Sequence, residues 1–263
     1  MRSLSPLLLV LLISPCFSQT PTKSETVKLD GLDTYYEVYG EGEPLFLLHG
    51  WGGSTKWWNE YISAFSDHFK VYLVDLLGHG KSSPLQGTFQ LQSAASNLLT
   101  LLDYLQLKEI KAVGLSYGGD LLLQFCSAYP HRIKSIVVIG ASYNFPKQDW
   151  GGGKYEDLTP DQIEELRLMH IHGKSQIIAL FEQTLNYEII LSTEDLEKIS
   201  TNTLVIVGER DHFVDLDTAV NLHKYLPNSH LWIVPNTGHE AHTNKNKREF
   251  IRITNEFLGD EWR

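Results

Sequence analysis

Apolar residues fall along the chain in two alternating patterns. At 44–49, 71–76, 110–115, 136–139 and 204–207 they form short unbroken runs, as in strands covered on both faces. Between most of these runs, as at 91–105 and 121–129, they recur every third or fourth position, the spacing of an amphipathic helix. Residues 26–29 and 34–39 alternate in polarity about Asp30-Gly31 and predict a strand pair. Strand and helix in alternation require crossover connections. The pattern therefore predicts an α/β fold: a mostly parallel sheet with helices on both faces, binding ligands beyond the carboxyl ends of its strands.

The rhythm breaks once. Residues 144–199 carry two or three helical patterns, the triplet Gly151-Gly152-Gly153 and no clear buried strand, which predicts a helical cap inserted into a single domain spanning 26–263. The first residues follow a different logic. Met1-Arg2, the apolar stretch 7–13 and small residues at Cys16 and Ser18 read as a signal peptide cleaved after Ser18, giving a secreted or periplasmic protein. A lipid anchor on Cys16 is the competing reading, disfavoured by Pro15 beside it. The apolar stretch would span only about 10 Å as a helix, too short for a transmembrane anchor. Residues 19–25 are polar and read as a flexible leader.

Composition narrows the partners. Lys and Arg total 22 against 32 Asp and Glu, a formal charge of −10 without a basic block, which opposes nucleic acid. Cys126 is the only thiol left once residues 1–18 are removed, so an internal disulfide cannot form and the fold must rest on core burial. No His, Cys, Asp and Glu set has zinc spacing, and His170 and His172 would diverge on a helix, so no metal is expected.

The chemistry concentrates at Gly114-Leu115-Ser116-Tyr117-Gly118, a G-x-S-x-G sequence between an apolar run and a helical pattern. A sharp turn there would expose the Ser116 hydroxyl at the top of the sheet, with Gly114, Gly118 and Gly119 avoiding collisions where strand and helix cross. A neutral hydroxyl needs a base, and His239 follows the strand-like run 231–234 and the turn Pro235-Asn236-Thr237-Gly238. A carboxylate must orient the imidazole, and Asp211 ends the run and turn 204–211. Glu209 or Asp215 as the acid, and His242 as the base, stay open. After the buried run 45–48, His49-Gly50-Trp51-Gly52-Gly53 supplies a glycine-rich loop, whose Trp51 N–H could join that of Tyr117 in an oxyanion hole.

His49-Gly50-Trp51-Gly52, Asp75-Leu76-Leu77-Gly78-His79-Gly80-Lys81-Ser82, Gly114–Gly119, Gly208-Glu209-Arg210-Asp211 and Gly238-His239, in that order, resemble the α/β-hydrolase superfamily over nearly the whole mature chain. The resemblance implies an eight-stranded, mostly parallel sheet, a cap after the sixth strand, and Ser116, Asp211 and His239 as nucleophile, acid and base. Leu77 departs from the Arg that many relatives carry there, in a turn read as structural. A serine in place of an aspartate nucleophile disfavours dehalogenase and epoxide hydrolase chemistry. What remains is acyl transfer to water on a small molecule without a cofactor, most simply a small, mostly apolar carboxylic ester. Lactones, amides, thioesters, the carbon–carbon bond of a diketone, and ligand binding without turnover are the alternatives. Trp51, Phe145, Trp150, Met169, Phe181 and Tyr187 are candidates for the pocket wall, although aromatics at helical spacing are more often plain core.

Overall fold

The computed structural model describes residues 19–147 and 155–262. The expected signal peptide, Trp150 and the glycines at 151–153 lie outside the described residues. Eight strands form the main sheet: β1 (Lys23–Leu29), β2 (Leu32–Tyr39), β3 (Pro44–Leu48), β4 (Lys70–Asp75), β5 (Ile110–Leu115), β6 (Ile133–Ile139), β9 (Asn202–Gly208) and β10 (Ser229–Val234). The two-residue strands β7 (Asn144–Phe145) and β8 (Ile189–Ile190) pair only with each other. The sheet order is β1-β2-β4-β3-β5-β6-β9-β10. β2 runs antiparallel to both neighbours, and the pairings from β4 to β10 are parallel. This is the expected eight-stranded, mostly parallel sheet.

Strand periodicity divides the core. Phe46, Leu48, Tyr72, Val74, Ile136, Val138, Val205 and Val207 face one side, where α2 (Leu91–Tyr104), α3 (Tyr117–Ala128) and α7 (Leu216–Tyr225) cover them. Their alternates Leu45, Leu47, Val71, Leu73, Val137, Ile139, Leu204 and Ile206 face the other, under α1 (Ile62–Ser66) and α8 (Lys247–Leu258). Burial on both faces is why these strands read as unbroken apolar runs. Among the described residues no helix is long and apolar enough to cross a membrane.

Two boundaries differ from expectation. β1 begins at Lys23, so the leader expected over 19–25 is shorter: Lys23, Ser24 and Glu25 pair with Val38, Glu37 and Tyr36. The polar composition misled because β1 is an edge strand held by backbone pairing and by the Tyr36 hydroxyl, which donates to Glu25 (2.6 Å). The cap carries α4 (Pro160–Met169) and α5 (Lys174–Thr184), closed at its base by β7 and β8. α6 (Thr193–Lys198) belongs to the main body instead, since Leu196 and Ile199 are buried in the core under α3 and α7.

Candidate active site

Five loops at the carboxyl ends of parallel strands enclose a cavity of about 540 Å³, lined by Gly50, Trp51, Leu115, Ser116, Gly140, Ser142, Phe213, Val214 and His239 on the sheet side and by Phe145, Phe181, Thr184 and Tyr187 from the cap. Trp57, Tyr117, Asp120 and Glu240 complete the wall.

Ser116 follows β5 directly and caps α3 with φ 51° and ψ −116°, a conformation an L-residue adopts at a cost of about 1–3 kcal/mol. Two features hold it there. Its N–H donates to the Ile139 carbonyl (2.7 Å), and the following helix lies so close to β3 that a Cβ on Gly118 would sit 2.5 Å from the Leu48 carbonyl oxygen. Among the described residues the Ser116 hydroxyl has no hydrogen-bond partner, and it faces the cavity that His239 also lines.

Asp211 follows β9 and His239 follows β10. Imidazole Nδ1 lies 2.8 Å from Asp211 Oδ2, and the other carboxylate oxygen accepts from the N–H groups of Phe213 (2.8 Å) and Val214 (3.1 Å). An ionised carboxylate can only accept, so Nδ1 carries a proton and Nε2 is left as the basic nitrogen. Burial pushes the Asp211 carboxyl upward, but the bonds from His239 and the two backbone N–H groups outweigh it and hold the carboxyl below its ordinary value. Gly140, with φ +55°, makes room for the pair, because a Cβ there would stand 2.9 Å from the imidazole and 3.1 Å from Asp211 Oδ2.

The alternatives for acid and base are engaged elsewhere. Asp215 caps α7, accepting from Thr218 N–H (2.7 Å), and Glu209 accepts from Asn236 N–H (2.7 Å). His242 is buried against Trp58, Tyr61 and Phe250, and burial lowers its pKa to about 4.

Trp51 and Tyr117 border the cavity on either side of Ser116 in sequence-distant loops that the sheet brings together. Trp51 lies in a turn closed by Gly53 N–H to Gly50 O (3.0 Å), and its ring makes edge contacts with His79, Phe89, Tyr117 and Tyr187 at 4.9–5.3 Å. That packing fixes the loop. Tyr117 opens α3, where unsatisfied N–H groups and the helix dipole favour negative charge.

Of the expected pocket wall, Trp51, Phe145, Phe181 and Tyr187 line the cavity. Met169 does not. It borders a second cavity of about 340 Å³ with Leu158, Leu166, Ile177 and Leu180, on the far side of a partition formed by Trp51, Trp57, Phe181 and Thr184. The last turn of α4 is carried past the partition by the cap's own chain path, which apolar spacing does not encode. Trp57, Ser142, Phe213 and Asp120 were not anticipated. Trp57 had a faint signal in Gly50 and Gly53, which give way to its ring: a Cβ at either would lie 2.8–3.0 Å from it.

Asp120 is the least expected member. It is buried in the first turn of α3, accepts from Ser142 N–H (2.7 Å) and from the hydroxyl of the cap residue Tyr187 (2.7 Å), and faces the cavity. Burial outweighs both bonds and the pull of His239, raising its pKa to about 7. Among the described residues no group of three or more His, Cys, Asp or Glu is placed to hold a metal.

Comparison with known proteins bears on the fold. The family model of the alpha/beta hydrolase fold matches residues 43–158. A 2-hydroxy-6-oxo-2,4-heptadienoate hydrolase of Pseudomonas putida is 29% identical over 264 residues, covering 88% of this chain and 94% of that protein. Among solved structures, a meta-cleavage product hydrolase from Pseudomonas fluorescens IP01 shares the fold with a TM-score of 0.73 at 21% identity, over 90% of this chain and 98% of that one. An esterase from Thermogutta terrifontis does so with a TM-score of 0.74 at 21% identity, over 90% and 98%.

Proposed function

We propose that this chain, whose fold and matches are those of the α/β-hydrolase superfamily, is a serine hydrolase that cleaves a small, uncharged, mostly apolar carboxylic ester through an acyl-Ser116 intermediate. The observation that carries the reading is the character of the cavity. Among the described residues no Lys or Arg lines it, its only ionisable carboxyls are Asp120 and Glu240, and aromatic and aliphatic side chains make up most of the rest. An anionic substrate would meet a buried carboxyl without a cation to offset it.

In this reading Ser116 Oγ attacks the ester carbonyl as His239 Nε2 takes its proton. The oxyanion is met by the N–H groups of Trp51 and Tyr117, each such donor being worth roughly 3–4 kcal/mol. Collapse breaks the bond to the alkoxide, which leaves with the proton from His239. Water, deprotonated by the same imidazole, then attacks the acyl-serine, and Ser116 recovers its proton as the acid departs. Asp211 holds the tautomer and stabilises the imidazolium throughout.

A second reading is hydrolysis of the carbon–carbon bond of a ring-opened diketone, favoured by the named activity of the P. putida relative. The same serine and imidazole would serve, with the proton delivered to carbon. The name of that relative's substrate, however, denotes a carboxylate, for which this cavity offers no Lys or Arg among the described residues.

The deciding experiment compares kcat/KM for p-nitrophenyl butyrate and for 2-hydroxy-6-oxo-2,4-heptadienoate, using the protein from Gln19 and its Ser116→Ala variant. Ester turnover well above dienoate turnover, lost in the variant, is expected. The reverse order would establish the second reading, and absence of both with no labelling by a fluorophosphonate would remove Ser116 as nucleophile. We also infer export with removal of residues 1–18. N-terminal sequencing of the exported protein should begin at Gln19.

A further inference from the structure

His170 sits at the C-terminal end of α4, in the cap, and is 1% exposed. Its ring bridges two loops of the main body: Gly80 N–H donates to Nδ1 (2.9 Å), and Nε2 lies 2.9 Å from the Gly52 carbonyl oxygen. An N–H cannot accept and a carbonyl cannot donate, so both bonds form only when Nδ1 is bare and Nε2 carries the single proton. Burial favours that neutral form, lowering the pKa. Around the ring lie His79, with centroids 6.0 Å apart, His49 behind it, and the buried Asp75; the Lys56 ammonium donates to the nearby Leu168 carbonyl. His49 and His79 are themselves pushed toward the neutral form by burial.

The Gly52 carbonyl is not an arbitrary partner. It belongs to the turn closed by Gly53 N–H to Gly50 O, whose two central residues are Trp51 and Gly52, the latter with φ +78°. The Trp51 N–H and the Gly52 carbonyl therefore sit in peptide planes of one four-residue turn, and rotating one moves the other. His170 is the cap side chain that hydrogen-bonds the backbone of this turn, which the cap otherwise meets through the ring contact of Tyr187 with Trp51. Neighbouring contacts, Ile171 N–H to Gly80 O (3.2 Å) and Gln176 Nε2 to Gly78 O (3.0 Å) and Gly80 O (3.2 Å), fix the cap to the other loop only.

We propose that His170 is a positioning residue of the active site: its Nε2–H to Gly52 bond makes the aim of the Trp51 N–H depend on the cap being docked. The proposal rests on the acyl-serine reading for its catalytic half. Its structural half, the coupling of cap and turn, stands without that reading.

The test uses two substitutions. His170→Phe fills the space and makes neither bond, whereas the amide of His170→Gln offers the same acceptor and donor in one planar group. The Phe variant should lose about 10-fold to 100-fold in kcat on an ester with KM within about twofold, because a misdirected donor is felt in the transition state. Its affinity for a trifluoromethyl ketone, whose serine adduct carries an oxyanion, should fall in parallel. The Gln variant should recover kcat to within about threefold of the parent. Hydrogen exchange of the segment 49–54 should be faster in the Phe variant and near the parent rate in the Gln variant.

A folded Phe variant with parental kcat overturns the catalytic half, as does a loss confined to KM or one that Gln fails to recover. Unchanged exchange at 49–54 overturns the coupling itself. If fluorophosphonate fails to label Ser116 in the parent, the acyl-serine reading falls, and exchange alone then decides whether His170 couples cap to turn.

Discussion

The edge of the sheet and the cap face the same cavity but are held in place by different forces. Ser116, Asp211 and His239 hang from the ends of β5, β9 and β10, and the residues beneath them, such as Leu47, Val113 and Ile206, have no exposure at all. In the cap, α4 buries none of its ten residues and α5 only Gln176, Ile177 and Leu180. What ties the cap down is largely polar: His170 and Gln176 to the loops at 52 and 78–80, Gln183 Oε1 to Phe89 N–H (2.7 Å), and Tyr187 to Asp120. Such bonds exchange for water at small net cost, about 1 kcal/mol each, whereas a buried aliphatic side chain holds by roughly 1.5–3 kcal/mol. The candidate catalytic groups thus sit on the densely packed side, and the cap, tied down by polar bonds, on the side with the less buried helices.

The sharpest break of this contrast is chemical. Ser116→Ala should lower ester turnover by about 10⁴-fold or more and Asp211→Asn by about 10⁴-fold, the second through the wrong tautomer of His239, while melting temperatures stay close to the parent. Stability should divide the other way. Leu47→Ala, at a fully buried position of β3, should cost about 2–5 kcal/mol in urea unfolding, and Leu166→Ala, half-buried on α4, less than about 1 kcal/mol.

Asp120 joins the two regions and gives a pH test. Its folded pKa, raised by burial from 3.8 to about 7, means the folded protein binds that proton more tightly than the unfolded chain between those values. Its contribution is therefore complete below the unfolded value and is lost as pH rises through about 7. Asp120→Asn keeps an acceptor for Ser142 and a polar partner for Tyr187 but does not titrate. The variant should melt a few degrees (about 2–6 °C) above the parent at pH 8, with the gap narrowing steadily as the pH falls from about 7 toward 4. A gap independent of pH would show that Asp120 is ionised throughout. The smallest effect should come from Leu166→Phe in the second cavity. It should leave kcat for acetyl esters unchanged and lower kcat/KM for decanoyl esters about threefold, if long chains cross the Trp51–Trp57 partition.

How much of this was legible beforehand follows from the range of the interactions. The runs at 44–49 and 110–115 became β3 and β5 almost residue for residue, because burial on both faces leaves a local mark. Ser116 was marked by its own glycines, and Asp211 and His239 by their places after strands. Asp120 left no such mark: an acid four residues into an apolar helix reads as an error until Ser142 and Tyr187, 22 and 67 residues away, converge on it. Met169 failed for the same reason in reverse, since helical spacing places it on a face but not on one side of a partition built from two other segments. The start of β1 escapes notice because its polar residues are held by backbone pairing and by the bond from Tyr36 to Glu25, 11 positions away, to which composition is blind.

The stem of the cap has one more consequence. Asn144 pairs with Ile190 and Phe145 with Ile189, and the Leu191 N–H returns to the Tyr143 carbonyl (2.8 Å), so the excursion leaves and re-enters at a single point between the adjacent strands β6 and β9. To the sheet it is a closed loop whose contents do not alter strand register. A segment of different length or composition, spliced between 145 and 189, would inherit the same serine, acid and base. The stem is in that sense a socket, at which a new specificity could be grafted without rebuilding the sheet beneath it, provided the graft again ties down the turn that His170 holds.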